Sequence, residues 1–132
     1  MNILVVEDDC ASRKLLSKLV SDFGTVEAVE DGLKAIEMFE RAMEQNKIYD
    51  VIFLDIMLPG MSGQHVLKRV REVEYENGIT GMAGVKIIMT TALGDSANIM
   101  EAFRSQCEAY LTKPISKSAV IKELKDLGLI PG

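Results

Sequence analysis

Short apolar runs alternate along the chain with longer segments in which apolar residues recur every three or four positions. Short continuous runs bounded by polar turn residues are typical of strands covered on both faces of a parallel sheet. The runs are Ile3–Val6, Val51–Leu54, Lys86–Met89 and Ala109–Thr112, and Thr25–Val29 completes the alternation. We therefore predict five buried parallel strands.

The segments between and after these runs have helical spacing. Their apolar stripes are Leu15, Leu19 and Phe23, with Leu16 and Val20 beside them; Leu33, Ile36, Phe39 and Met43; Val66, Leu67, Val70 and Val73; Ile99, Met100 and Phe103; and Val120, Ile121, Leu124 and Leu127. Strict alternation of strands and helices favours right-handed crossovers with helices on both faces of the sheet. The pattern predicts an α/β fold built on a five-stranded, doubly wound parallel sheet.

Polar residues and glycines mark the ends of these segments. Asp31, Ser62, Asp95 and Ser116 precede helical stripes and can cap a first turn, and Asp9 is expected to do so for the first helix. Gly24 ends the first stripe and suits a left-handed helix cap. Glycines interrupt any period over residues 74–84, where we predict a long, mobile loop.

Polar and charged residues close four of the predicted strands. Glu7 and Asp8 follow the first strand, Asp55 the third, Thr91 the fourth and Lys113 the fifth. Because parallel strands deliver their carboxyl ends to one edge of the sheet, these side chains are expected to share one pocket. Three carboxylates held together repel one another unless a cation lies among them. Mg²⁺, a hard ion that prefers oxygen ligands, is the physiological choice.

The predicted pocket has the composition of a phosphoryl acceptor. With a cation bound, Asp55 is an ionised carboxylate free to attack phosphorus, and carboxylate nucleophiles of this kind form aspartyl phosphates. Lys113 would stabilise charge on the phosphoryl oxygens, and Thr91 would donate a hydrogen bond to one of them.

Composition and charge narrow the class of protein. A chain of 132 residues with 48% hydrophobic content fits one compact domain. The net charge of -5 argues against direct nucleic-acid binding, which needs a basic surface. Met1 leads straight into the first strand and no apolar run is long enough to span a membrane, so we expect a cytoplasmic protein. Cys10 and Cys107 are expected to be free thiols.

The ordered residues at the strand ends resemble the receiver domain of two-component response regulators, and the resemblance covers residues 1–132. It is carried by Glu7-Asp8, the stretch Asp55–Gly63, Thr91 before an alanine and Lys113 before a proline. Each signal is weak by itself, whereas four of them in order are specific. The resemblance implies a flavodoxin-like fold with strand order 2-1-3-4-5.

The resemblance also implies a role for each residue of the pocket. Asp55 is the implied phosphoacceptor, assisted by Thr91 and Lys113. The implied ligands of Mg²⁺ are Glu7, Asp8, Asp55 and the backbone carbonyl of Met57, with Asp8 bound directly and Glu7 bound through water.

As a receiver, the chain is expected to take a phosphoryl group from a phosphohistidine on a sensor histidine kinase or a histidine phosphotransfer protein. Phosphorylation would move Thr91 and turn Tyr110 inward, which reshapes a surface for a downstream protein target. We expect a monomeric switch rather than an enzyme. Its self-dephosphorylation should be slow, because the apolar side chains of Met57 and Leu93 would exclude the water that attacks phosphorus.

Other classes remain as alternatives. The chain could be a receiver module of a larger regulator, or an interaction domain that works without phosphorylation. Two further classes are disfavoured. A flavodoxin-type flavin carrier needs a hydroxyl-rich phosphate loop after the first strand, where this chain has the acidic residues Glu7-Asp8-Asp9. A haloacid-dehalogenase-type phosphatase needs an Asp two residues after its nucleophile, where this chain has Met57.

Overall fold

Five parallel strands form one sheet in the computed structural model, which describes residues 1–80, 83–92, 100 and 106–132. The strands are β1 (Asn2–Val6), β2 (Thr25–Val29), β3 (Val51–Asp55), β4 (Lys86–Thr91) and β5 (Ala109–Thr112). Their order across the sheet is β2-β1-β3-β4-β5, and every neighbouring pair is parallel. The predicted number, order and direction of the strands are confirmed.

Four α-helices cover this sheet among the described residues. They are α1 (Cys10–Val20), α2 (Gly32–Glu44), α3 (Gly63–Glu76) and α4 (Lys117–Asp126), with a short 3-10 helix at Ser21–Phe23 after α1. α2 and α3 pack with Leu4 and Leu54 on one face, whereas α1 and α4 pack with Ile3 and Phe53 on the other. None of the described helices is long and apolar enough to cross a membrane. The helix predicted around Ile99 lies outside the described residues.

Side-chain caps start each of these four helices. Asp9, Asp31, Ser62 and Ser116 each accept a hydrogen bond from the backbone N–H three residues further on. These bonds satisfy amides that have no partner inside a first helical turn. The caps predicted at these positions are confirmed.

Two leucines of the predicted apolar stripes are exposed rather than packed against the sheet. Leu15 of α1 and Leu33 of α2 are 55% and 57% exposed. In α1 the buried residues are Leu16 and Val20, which lie one turn apart and face the sheet. A helix on a sheet buries only a stripe of its surface, so apolar residues beside that stripe remain in solvent.

Gly24 is not the left-handed cap that we predicted. Its φ is 167°, which is extended backbone. A Cβ at this position would lie 2.0 Å from the Met1 carbonyl oxygen. Glycine is therefore needed for a close approach of two backbone segments rather than for a helix cap.

The start of the predicted loop at residues 74–84 is the last turn of α3, which ends at Glu76 and includes Glu74. This side chain is 4% exposed and accepts hydrogen bonds from Arg71 Nη1 at 2.7 Å and the Val85 amide at 2.6 Å. Arg71 also donates to the Val85 carbonyl and to both carboxylate oxygens of Glu108. This Arg71 network ties the end of α3 to the starts of β4 and β5.

Both cysteines are free, with Cys10 exposed and Cys107 buried. Burial, together with the neighbouring charge of Glu108, raises the pKa of the Cys107 thiol to about 11. At neutral pH this thiol is therefore protonated and behaves as a small core residue.

Replacing Arg71 by alanine should destabilise the fold, because the buried carboxylate of Glu74 would lose its cation. Removing one partner of a buried ion pair costs about 3 kcal/mol. The urea midpoint should fall at an unchanged slope of unfolding free energy against urea. Arg69→Ala is the matched control, since Arg69 pairs with the surface residues Glu72 and Glu76 and its loss should cost less than about 1 kcal/mol. Equal midpoints for the two variants would contradict the structural role of the network.

Candidate phosphoacceptor and metal site

The register of the strands brings the predicted site residues to one edge of the sheet. β1 and β3 are paired so that Glu7 and Asp55 occupy adjacent positions at their ends. β3 pairs with β4 through Asp55 and Thr90, which places Thr91 one residue further along. The Lys113 amide then donates to the Thr91 carbonyl at 2.8 Å. The backbone register alone therefore places these residues beside one another at this edge.

Asp55 is the buried centre of the site, with 4% of its surface exposed. One carboxylate oxygen, Oδ1, accepts a hydrogen bond from the Met57 amide at 2.9 Å. The other, Oδ2, accepts from the Lys113 ammonium at 2.9 Å. Both oxygens of this carboxylate therefore accept a hydrogen bond within the fold.

Glu7 shares the same lysine. Its Oε1 accepts from Lys113 Nζ at 2.5 Å and its Oε2 accepts from the Asp9 amide at 3.1 Å. Burial lowers the pKa of Lys113, but the hydrogen bonds and charges of Glu7 and Asp55 outweigh burial and raise it above its ordinary value. Lys113 is therefore a permanent cation between two buried carboxylates.

A hard divalent cation fits the three carboxylates at this edge. Glu7, Asp8 and Asp55 each present an oxygen, and these oxygens lie within 4.8 Å of one another. Glu7 and Asp55 are buried, whereas Asp8 is exposed and faces solvent. Carboxylate oxygens beside open solvent suit Mg²⁺, which keeps several of its waters. Lys113 neutralises only part of the negative charge, so the site still attracts a cation.

The remaining predicted residues lie around this centre. The Met57 side chain is 64% exposed, and its carbonyl stays a predicted metal ligand. Thr91 is fully buried, and its hydroxyl donates to the Ala92 carbonyl at 3.3 Å. Tyr110 on β5 is 41% exposed. Leu93 lies outside the described residues.

Sequence reasoning assigned no role to Gly63 or Arg13, which support the site. A Cβ on Gly63 would lie 2.1 Å from the Asp55 carbonyl oxygen, so only glycine lets α3 begin against the end of β3. Arg13 donates to the carbonyls of Glu7 and Asp8. The sequence signal for Gly63 was its place at the end of the Asp55–Gly63 stretch. The role of Arg13 has no such signal, because backbone carbonyls are common to every residue and a side-chain pattern does not show which of them Arg13 contacts.

An apolar groove opens beside the carboxylates. It has a volume of about 380 Å³ and is lined by Glu7, Ser12, Leu15, Leu16, Leu19, Lys113, Pro114 and Ile115. The exposed Leu15 on α1 thus stands next to the charged site. A partner seated here would contact both an apolar helix face and the residues around Asp55.

Sequence comparison finds relatives along nearly the whole chain. A family model described as the response regulator receiver domain matches residues 3–125. The transcriptional regulatory protein ResD of Bacillus subtilis is 34% identical over 126 residues, which cover 95% of this chain and 47% of ResD. Probable histidine kinase 2 of Oryza sativa subsp. indica is 31% identical, over 92% of this chain and 12% of the kinase. The chain therefore spans less than two thirds of either relative.

Solved structures show the same fold. A receiver domain from the Saccharomyces cerevisiae response regulator Ssk1, crystallised with the histidine phosphotransfer protein Ypd1, superposes with a TM-score of 0.83 at 27% identity, covering 98% of this chain and 89% of that one. The receiver domain of the Pseudomonas aeruginosa sensor histidine kinase PA1611 gives a TM-score of 0.78 at 25% identity, covering 96% and 97%. Its structure has a magnesium ion coordinated in the active-site cleft.

Replacing Lys113 by alanine should leave the affinity for Mg²⁺ unchanged or raise it, because the variant loses a cation that competes for Glu7 and Asp55. Without Mg²⁺ the variant should melt lower, since two buried carboxylates then repel each other. Mg²⁺ should therefore raise its melting temperature more than that of the wild type. Lys117→Ala is the control, because Lys117 pairs with the surface residue Asp22. A loss of Mg²⁺ binding in Lys113→Ala would make Lys113 part of the metal site instead.

Proposed function

Because the chain belongs to the response regulator receiver domain family, we propose that it is a phosphorylation switch that accepts a phosphoryl group on Asp55. One observation carries the proposal: the buried Asp55 carboxylate accepts a hydrogen bond from the Lys113 ammonium and lies within 4.8 Å of carboxylate oxygens of Glu7 and Asp8, a group that suits Mg²⁺. The phosphoryl donor is a phosphohistidine on a sensor histidine kinase or a histidine phosphotransfer protein. The product is an aspartyl phosphate.

The side chains at this edge divide the work of the transfer. An oxygen of Asp55 bonds to phosphorus while the bond from phosphorus to the imidazole nitrogen breaks, and the imidazole leaves with the electron pair. Lys113, which already touches Asp55 Oδ2, exchanges part of that contact for a phosphoryl oxygen. Glu7, Asp8, Asp55 and the Met57 carbonyl would hold Mg²⁺, which would supply charge stabilisation on the phosphoryl oxygens.

The switch would read the new phosphoryl group through Thr91 and Tyr110. The Thr91 hydroxyl gives up its long bond to the Ala92 carbonyl and donates to a phosphoryl oxygen. Tyr110, now 41% exposed, turns inward into the space that Thr91 leaves. The surface around β5 and α4 then differs between the two states, which gives a downstream protein a basis for telling them apart.

The groove beside α1 suits the phosphoryl donor. It joins the charged site directly, so a protein seated on Leu15 and Pro114 places a histidine near Asp55. The neighbour Ssk1 was crystallised with a histidine phosphotransfer protein, which is the class of partner we propose.

The remaining properties follow from charge and exposure. We propose a cytoplasmic monomer that binds no nucleic acid, consistent with a net charge of -5. Glu108, next to β5, is paired with Arg71 within the fold. We therefore do not assign it to a charged contact with a second copy of the chain. Residues 1–132 form one receiver domain, which could act alone or as the module of a longer regulator. Apolar Met57, exposed beside Asp55, would favour slow hydrolysis of the aspartyl phosphate.

Asp55→Ala should abolish phosphorylation, because the variant lacks the carboxylate that would attack phosphorus. The measurement is intact mass after incubation with acetyl phosphate and Mg²⁺, where the wild type should gain one phosphoryl group. Asp8→Ala is the comparison variant: it should lose the adduct by losing the metal, and excess Mg²⁺ should partly restore it. A phosphoryl adduct on Asp55→Ala at wild-type yield would remove Asp55 from its role.

Leu15→Asp should slow phosphoryl transfer from a phosphorylated histidine phosphotransfer protein by about tenfold, since a charge in the groove opposes docking. Transfer from acetyl phosphate, which needs no docking surface, should stay at the wild-type rate. Leu33→Asp is the matched control, because Leu33 is equally exposed on α2 but does not line the groove. Equal rates from the protein donor for both variants would place the docking surface elsewhere.

A further inference from the structure

The loop that delivers the two acidic residues, Glu7 and Asp8, is tied down on several sides. The Glu7 amide donates to the Val29 carbonyl at 3.1 Å, and the Asp9 amide donates to Glu7 Oε2 at 3.1 Å. The Asp9 carboxylate accepts from the Ser12 amide at 2.8 Å. These contacts fix the amides and one carboxylate of the loop, but they leave the carbonyls of Glu7 and Asp8 to another donor.

That donor is Arg13, which lies one turn into α1. Its Nη1 donates to the Glu7 carbonyl at 3.0 Å and to the Asp8 carbonyl at 3.2 Å. A planar guanidinium with several N–H groups suits two successive carbonyls, because its donors are held in a fixed arrangement. The backbone of both acidic residues is thereby bound to the helix that follows them.

We infer that Arg13 is a positioning residue for the divalent cation, acting through the backbone of Glu7 and Asp8; the inference rests on the proposed metal site. Each metal-binding carboxylate can point at the shared position only if its Cα is held, and Asp8 is exposed with no core packing to hold it. Residues that orient ligands from behind commonly change metal affinity by tenfold or more.

Removing Arg13 should leave the start of α1 intact. The Asp9 carboxylate caps α1 by accepting a hydrogen bond from the Ser12 amide, and this bond does not involve the Arg13 side chain. The Arg13 amide also bonds to the Asp9 carbonyl at 2.8 Å through the backbone alone. A change at Arg13 therefore tests the loop rather than the helix.

The direction of the effect separates positioning from plain electrostatics. Arg13 is a cation near a cation site, so its charge alone repels Mg²⁺. If charge were its only contribution, removing it would tighten Mg²⁺ binding, as expected for Lys113→Ala. If Arg13 positions Glu7 and Asp8, removing it weakens binding in spite of the lost repulsion.

The test is titration of the 132-residue chain with Mg²⁺. Binding is measured by calorimetry and by the shifts of the amide NMR signals of Glu7 and Asp8. Arg13→Met keeps the apolar stem and removes the donors, and it should weaken binding about tenfold. Arg13→Lys, which retains one donor group, should recover part of the loss. Lys14→Ala removes a neighbouring charge on the same helix and should bind Mg²⁺ as the wild type does or more tightly.

Each outcome decides one question. Wild-type or tighter affinity in folded Arg13→Met overturns the positioning role while the metal site itself stands. If the wild type shows no Mg²⁺ binding, the proposed metal site fails, and with it the inference. If Arg13→Met does not fold, Arg13→Lys takes its place: weaker binding than the wild type supports the role, and equal or tighter binding overturns it.

Discussion

The buried carboxylates of Glu7 and Asp55 repel each other, and Lys113 offsets this repulsion. The rest of the structure depends on this balance of charge. Glu7 and Asp55 are 3% and 4% exposed, so neither is well screened by water. Lys113 donates to both and keeps the fold compatible with its own charges. A cation or a phosphoryl group at this edge changes the balance that Lys113 maintains.

The two edges of the sheet use buried charge in different ways. At the starts of β4 and β5, Glu74 and Glu108 receive hydrogen bonds from Arg71 and from backbone amides, so their charge is satisfied within the fold. At the carboxyl ends of the strands, Asp8 faces solvent and negative charge remains in excess. The contacts of Arg71 hold α3 against the sheet. The carboxylates at the opposite edge remain accessible to a cation from solvent.

α1 connects the charged site with a docking surface. Its capped start and Arg13 hold the acidic loop, while its exposed Leu15 lines the groove beside Lys113. A partner that contacts α1 therefore touches the same element that orients Glu7 and Asp8.

The sequence by itself determined the strands, their parallel direction and the residues at their ends, because continuous apolar runs and polar strand ends follow directly from burial in a two-faced sheet. The order of the strands across the sheet followed from the resemblance to the receiver family. The sequence also predicted caps such as Asp9, whose signal is local. It did not show that Leu15 is exposed, since the periodicity of apolar residues does not say which neighbouring stripe meets the sheet. Only the tertiary structure decided that Glu74 is buried against Arg71, that Gly24 serves a close backbone contact, and that Arg13 binds two carbonyls. Those features depend on contacts between segments distant in sequence or on backbone atoms common to every residue, and side-chain patterns do not record either.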